Sequence, residues 1–133
     1  NKKVFIDRTD SLSKHCQFIN EKEVSNYLSK EGFVKYQLTK LTFLETVYLF
    51  QNADVIIGAH GAALVNLIFC LPKTKVIEIK PITHTQTVFE RLSSINNLDY
   101  RLIQTKEVNS DNKDKGDIDL PIDELENCFK SFI

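Results

Sequence analysis

Gly58, His60 and Gly61 stand between a β-branched run and an apolar stretch, where an α/β chain passes from strand to helix. Glycines at those points permit positive φ and let a ligand approach the main chain closely. A helix starting just after them turns its free N–H groups and the positive end of its dipole toward the same space. The chemistry this suits is capture of a phosphate or pyrophosphate by the loop Gly58-Ala59-His60-Gly61-Ala62, with His60 as a further hydrogen-bond donor. The loop has neither the Gly-Lys-Ser/Thr ending of a P-loop nor the G-x-G-x-x-G spacing of a dinucleotide site. The competing reading of His60 is a loop histidine bonded to backbone.

Arg8 directly follows the apolar run Val4-Phe5-Ile6, so it emerges at the end of a first strand. A guanidinium offers planar, two-pronged hydrogen bonding that suits a phosphate. The alternative is a surface arginine paired with Asp7 or Asp10. Glu78 sits among Val76, Ile77 and Ile79 in what reads as an interior strand, where a charge is costly unless partnered. Ribose hydroxyls could be that partner, and so could a lysine or a helix N-terminus. Lys14 and His15 in the first loop, and His84 with Thr83 and Thr85 after the fourth strand, are weaker candidates. Asn66, one turn into the third helix, is expected to fix the loop or pack.

The elements that must position these residues can be read from periodicity. Strands are expected at Val4–Ile6, Phe33–Leu38, Asp54–Gly58, Lys75–Ile79 and Tyr100–Ile103. A helix opens at Asn20, where Asn20 and Glu23 have capping-box spacing, and Gly32 ends it. Thr42 with Glu45 is a strict capping box for a second helix reaching Asn52. Gly61 to Phe69 is apolar nearly all round and predicts a third, fully buried helix. Thr85 to Ile95 makes a fourth, and a last helix follows Pro121. Asn109 to Asp119 reads as a polar surface linker. Strict alternation of strand and helix predicts an α/β, doubly wound, five-stranded parallel sheet of Rossmann-like type, with helices on both faces and order 2-1-3-4-5. Strands one and three are then neighbours, and their C-terminal ends flank the topological switch point where such sheets bind ligands.

At 133 residues the chain fits one domain, residues 1–133. The formal net charge of −1 provides no global field to gather nucleic acid or an anionic membrane, so an anion has to be captured locally. No apolar stretch reaches membrane-spanning length, and direct membrane insertion by this segment is not expected. Cys16, Cys70 and Cys128 form no C-x-x-C, and only His15 adjoins one of them, so a metal site is not expected. The absence of both a paired cysteine framework and an Asn-x-Ser/Thr sequon leans toward a reducing compartment. The chain contains no methionine and enters a strand almost at once, and it is read as a piece of a longer protein.

The stretch from Ala53 through Gly58-Ala59-His60-Gly61-Ala62-Ala63-Leu64-Val65-Asn66, followed by Val76-Ile77-Glu78-Ile79-Lys80-Pro81, resembles glycosyltransferase family 61. The hallmark of that family is a strand, then Gly-x-His-Gly-Ala-Gly-Leu-Thr-Asn, then a Val-Ile-Glu strand. Asp7-Arg8, Asn20-Glu21, Glu23-Val24, Gly32-Phe33 and Leu41-Thr42-Phe43 with Glu45 match in the same order, so the resemblance runs from Val4 to Tyr100. Ala63 and Val65 replace the usual glycine and threonine, Asp7 stands where serine is common, and His15 falls near positions often held by arginine. The family includes EGF-domain O-GlcNAc transferases, plant xylosyl- and arabinosyltransferases and bacterial capsular-polysaccharide enzymes.

The resemblance implies the C-terminal, donor-binding half of an inverting, two-domain glycosyltransferase. Its donor would be a nucleoside-diphosphate sugar, with a UDP-sugar favoured, and its acceptor a hydroxyl of a glycan, polysaccharide or protein. Arg8, Gly58, Ala59, His60, Gly61, Ala62 and Glu78 would bind the donor, His60 would stabilise the leaving group, and no cofactor or metal ion is implied. An N-terminal partner domain would complete the enzyme. The compartment would be the cytoplasm for a bacterial protein, the first choice here, or the Golgi or endoplasmic reticulum lumen for a eukaryotic one. The competing class is a non-catalytic α/β module that binds nucleotide or docks protein.

Overall fold

The computed structural model describes residues 2–12, 15–106, 108 and 116–132. Lys14 and most of the linker expected at Asn109 to Asp119 lie outside the described residues. In chain order the elements are β1 (Lys3–Ile6), α1 (Glu21–Lys30), β2 (Phe33–Tyr36), α2 (Phe43–Asn52), β3 (Val55–Ala59), β4 (Lys75–Pro81), α3 (Val88–Ile95), β5 (Asp99–Thr105) and α4 (Ile122–Lys130). Two 3₁₀ segments, Leu38–Lys40 and Ala62–Phe69, precede α2 and follow β3. The strands are all parallel, in the order β2-β1-β3-β4-β5. This is the doubly wound, Rossmann-like sheet that the alternation predicts.

The pleat sorts the strand residues into two cores. Phe5, Val55, Ile57, Ile77, Ile79 and Ile103 face α1 and α4, where Val24, Leu28, Leu125 and Phe129 meet them. Val4, Ile6, Ile56 and Val76 face the other way, onto Leu49 and Phe50 of α2, Leu64 and Leu67 of the long 3₁₀ segment and Phe89 of α3. Each fully buried aliphatic side chain contributes about 1.5–3 kcal/mol, so a register slip, which would reverse both faces, is strongly disfavoured. In that register Ile6 lies beside Gly58 and Gly58 beside Glu78. Arg8, two residues beyond Ile6, and His60, two beyond Gly58, therefore leave adjacent strands on the same side.

Three local expectations fare differently. The Thr42–Glu45 capping box forms with both of its bonds. Asn20 makes no such cap on α1. Its side-chain amide instead donates to the Leu120 carbonyl and its carbonyl accepts from the Leu120 N–H, tying the start of α1 to the approach to α4. The third helix is neither α nor fully buried. Ala62–Phe69 is a 3₁₀ helix with an exact period of three in burial: Leu64, Leu67 and Cys70 face the sheet, whereas Val65 is 52% and Ile68 48% exposed. Side chains three apart eclipse in a 3₁₀ helix, so one narrow line is enough to cover the sheet and its apolar neighbours turn outward.

Candidate active site at the end of β1 and β3

The adjacent C-terminal ends of β1 and β3 bring Arg8 and the Gly58–Ala62 loop together. Gly61 does not use positive φ; its φ of 162° is extended backbone. The glycine is required by close approach instead. A Cβ there would lie 1.7 Å from Arg8 Nη1, 2.3 Å from Cζ and 2.9 Å from Nη2, so the guanidinium occupies the place a side chain would take. Gly58 is likewise not at positive φ, and a Cβ there would press on Leu64 at 3.2 Å and Ile6 at 3.4 Å. Of the two uses open to these glycines, positive φ and close approach, neither takes the first; side-chain packing is what excludes a larger residue.

Arg8 is only 8% exposed, and no carboxylate pairs with it among the described residues. Nη2 donates to the His15 carbonyl at 3.1 Å, and the buried Nε has no acceptor. Burial draws the Arg8 pKa down, with Cys16 and Asp10 opposing the effect. The acids that might have paired with it are engaged elsewhere. Asp7 accepts from the Thr9 amide, the Thr9 hydroxyl and Gln37 Nε2, and Asp10 accepts from the Thr39 hydroxyl. Burial would raise the Asp7 carboxyl, but the Thr9 amide and hydroxyl, Gln37 and the charge of Lys35 outweigh it and hold its pKa below the ordinary value. A buried guanidinium without an anion is an electrostatic deficit that a bound anion would remove.

The main chain adds to that deficit. Among the described residues, the N–H groups of Gly61, Ala62 and Ala63 donate to no main-chain acceptor, whereas those of His60 and Leu64 reach the Ile79 and Gly61 carbonyls. A cavity of about 170 Å³ opens here, lined by Arg8, Asp10, Ser11, Thr39, Ala62 and Ala63. That is below the roughly 300–1,000 Å³ of a complete small-molecule site and suits part of a ligand. A larger hollow of about 390 Å³, along Asn52–Asp54 and Lys73–Lys75, lies at the opposite edge of the sheet, where the strands begin.

His60 lies in front of a buried relay. Its Nδ1 is 2.6 Å from Glu78 Oε2, and the Tyr100 hydroxyl donates to Oε1 at 2.5 Å. Glu78 is 1% exposed, and both its oxygens are engaged inside the protein. Of the partners expected for this carboxylate, none is a lysine or a helix end; they are a histidine and a tyrosine. Burial, followed by the hydrogen bond to Glu78, raises the Tyr100 pKa, so the phenol stays a donor. The Glu78 carboxylate can accept from an Nδ1–H of His60, and Nε2, when it also bears a proton, is the donor left for a ligand. The His60 ring is packed edge-on to Phe89 at 5.2 Å, which limits its rotation.

Two weaker candidates join this group and others stay apart. The His15 and His84 rings are 6.4 Å apart and nearly parallel, and His84 is 5.9 Å from His60. Burial, then the charges of Arg8, His84 and His60, lower the His15 pKa. Asn66 donates to the Ala63 carbonyl and fixes its own turn. Thr83 and Thr85 are exposed. Tyr100 and Cys16 were not foreseen as part of the site. Tyr100 shares a sheet face with Glu78 because it pairs with Val76, two residues before it. The signal for it was the unpartnered charge in β4, which demanded a donor on the neighbouring strand.

Comparison with known proteins identifies the family. The family model of glycosyltransferase 61 matches residues 1–77, from β1 into β4. The beta-1,2-xylosyltransferase RCN11 of Oryza sativa subsp. japonica is 33% identical over 117 residues, covering 75% of this chain and 22% of the rice protein. The beta-1,2-xylosyltransferase of Arabidopsis thaliana is 31% identical over 117 residues, covering 73% of this chain and 22% of that protein. The chain thus spans about a fifth of the length of these relatives. Since the match takes in Arg8, the glycine-histidine loop and the first half of the β4 strand within one uninterrupted order, the chain belongs to glycosyltransferase family 61.

Proposed function

We propose that the crevice between β1 and β3 holds the diphosphate of a nucleotide-sugar donor, and that the protein is the donor-binding part of an inverting glycosyltransferase. The observation that carries this is the guanidinium of Arg8, buried and seated on Gly61, where among the described residues it has no carboxylate partner and the neighbouring N–H groups have no main-chain acceptor. Together with His60, once its Nε2 carries a proton as well as Nδ1, these donors would bracket an anion from both strands. As the sugar departs it takes on oxocarbenium character, and negative charge grows on the diphosphate. Donors already fixed in place stabilise that growing charge more than they stabilise the ground state. The Glu78–His60 bond would hold the imidazole in one orientation for this task.

The names of both relatives give xylose as the transferred sugar, and a UDP-sugar is the donor we favour. A glycan or glycoprotein hydroxyl would be the acceptor. The remainder of an enzyme of the relatives' length would close the crevice and supply the acceptor side, a reading that the small size of the cavity supports. Because both relatives come from plants, we favour the secretory lumen over the cytoplasm. Among the described residues no helix is long and apolar enough to cross a membrane.

Calorimetric titration with UDP tests the reading. Binding in the micromolar to low millimolar range, weakened at least tenfold by Arg8→Ala and by His60→Ala, supports it. Absence of heat at millimolar UDP would leave a non-catalytic docking module in its place.

A further inference from the structure

His15 and Cys16 are neighbours in the chain, and in an extended segment their side chains would point in opposite directions. Cys16 is at φ 55°, in the left-handed region, one of few non-glycine residues there among the described residues. Left-handed backbone is disfavoured for a residue with a Cβ and persists only where the surroundings impose it. Its consequence is geometric: the turn brings the imidazole and the thiol to one side, where His84 meets them from beyond the end of β4. One ligand atom from each of His15, Cys16 and His84 lies within 4.8 Å of the other two.

We propose that His15, Cys16 and His84 form a zinc site at the C-terminal edge of the sheet, with the fourth coordination position open for water or a phosphate oxygen. Tetrahedral Zn²⁺ with bonds of about 2.0–2.3 Å needs ligand atoms about 3.3–3.7 Å apart, so rotations of about an ångström at two half-buried histidines close the set. Two imidazoles and one sulfur suit zinc and exclude magnesium and calcium, which require oxygen. On binding, the Cys16 thiol releases its proton to solvent and the thiolate bonds the metal. Arg8 is a nearby opposing charge, and Glu78 and Asp117 are nearby balancing ones. Three protein ligands and one open position is the pattern of zinc sites that act on a ligand, and the ring of His60 lies 5.9 Å from that of His84.

The test uses metal alone, so its result does not depend on nucleotide binding. Co²⁺ is titrated into the metal-stripped 133-residue chain and followed by absorbance, with Zn²⁺ as competitor. The proposal expects one equivalent of Co²⁺, a thiolate-to-cobalt charge-transfer band, and loss of that band when Zn²⁺ is added. Cys16→Ser should abolish the band while Cys128→Ser keeps it, and His15→Ala and His84→Ala should each weaken Co²⁺ binding at least tenfold. His15 is half-buried, so its variant keeps the core and remains informative if Cys16→Ser folds poorly. No band, a band that survives Cys16→Ser in folded protein, or histidine variants that bind as tightly as the parent would each overturn the site.

Discussion

Replacing Gly61 by alanine separates the role of the glycine from that of the backbone. Its φ of 162° is open to any residue, so the main chain can remain where it is. What cannot remain is Arg8, because the new Cβ would lie 1.7 Å from Nη1 and 2.3 Å from Cζ. The guanidinium is the far end of a flexible side chain and can swing away, giving up its 3.1 Å bond to the His15 carbonyl. Loss of one hydrogen bond to a charged group costs about 1.5–3 kcal/mol, and we expect the protein to fold with a stability reduced by no more than that. If the same guanidinium binds the diphosphate, its displacement weakens UDP binding by a similar amount, about 10- to 150-fold. Arg8→Ala should do the same. The decisive measurement is the double variant. Independent effects would add to about 3–6 kcal/mol, whereas a shared cause leaves the double variant no worse than Arg8→Ala alone, a coupling of about 1.5–3 kcal/mol. Calorimetry with UDP reads the affinities, and urea unfolding of each variant confirms that it is folded. Additive losses would mean that Gly61 serves something other than the placement of Arg8.

Two further outcomes follow from the buried polar groups. Tyr100→Phe deletes the donor to Glu78 Oε1 and leaves a buried carboxylate oxygen unsatisfied, so urea unfolding should show a loss of about 1–3 kcal/mol, and a change under 0.5 kcal/mol would contradict the relay. Asp7→Asn should cost about 1–3 kcal/mol at neutral pH, because the amide cannot accept from Thr9 and Gln37 as the carboxylate does. The folded-state pKa of Asp7 is depressed, so its contribution is complete above the unfolded value near about 3.9 and is lost as pH falls through the folded value. The gap between parent and variant should therefore close in acid; a gap that persists there would assign the effect to shape instead of charge.

The sheet was legible because it depends on short-range facts. Val55, Ile56 and Ile57 ending in glycine, and Thr42 three residues before Glu45, specify a strand and a helix start without reference to the rest of the chain. Alternation then leaves few parallel topologies. Arg8 and the glycine-histidine loop were legible for the same reason: each immediately follows a strand, and parallel strands present their ends on one edge.

What the tertiary structure alone decided were the partners. Asn20 has the sequence of a helix cap, yet Leu120, a hundred residues away, supplies a better-placed donor and acceptor for its amide. Glu78 was visibly out of place in an apolar strand, but only the register of β4 on β5 and the reach of the β3 loop bring Tyr100 and His60 to it. The segment after Gly61 has a helical composition compatible with several pitches, and the narrow strip of sheet beneath it selects three residues per turn. Local pattern fixes φ, ψ and the direction of a side chain. Which group it meets depends on atoms brought near by the fold, and a linear pattern carries no distance between them.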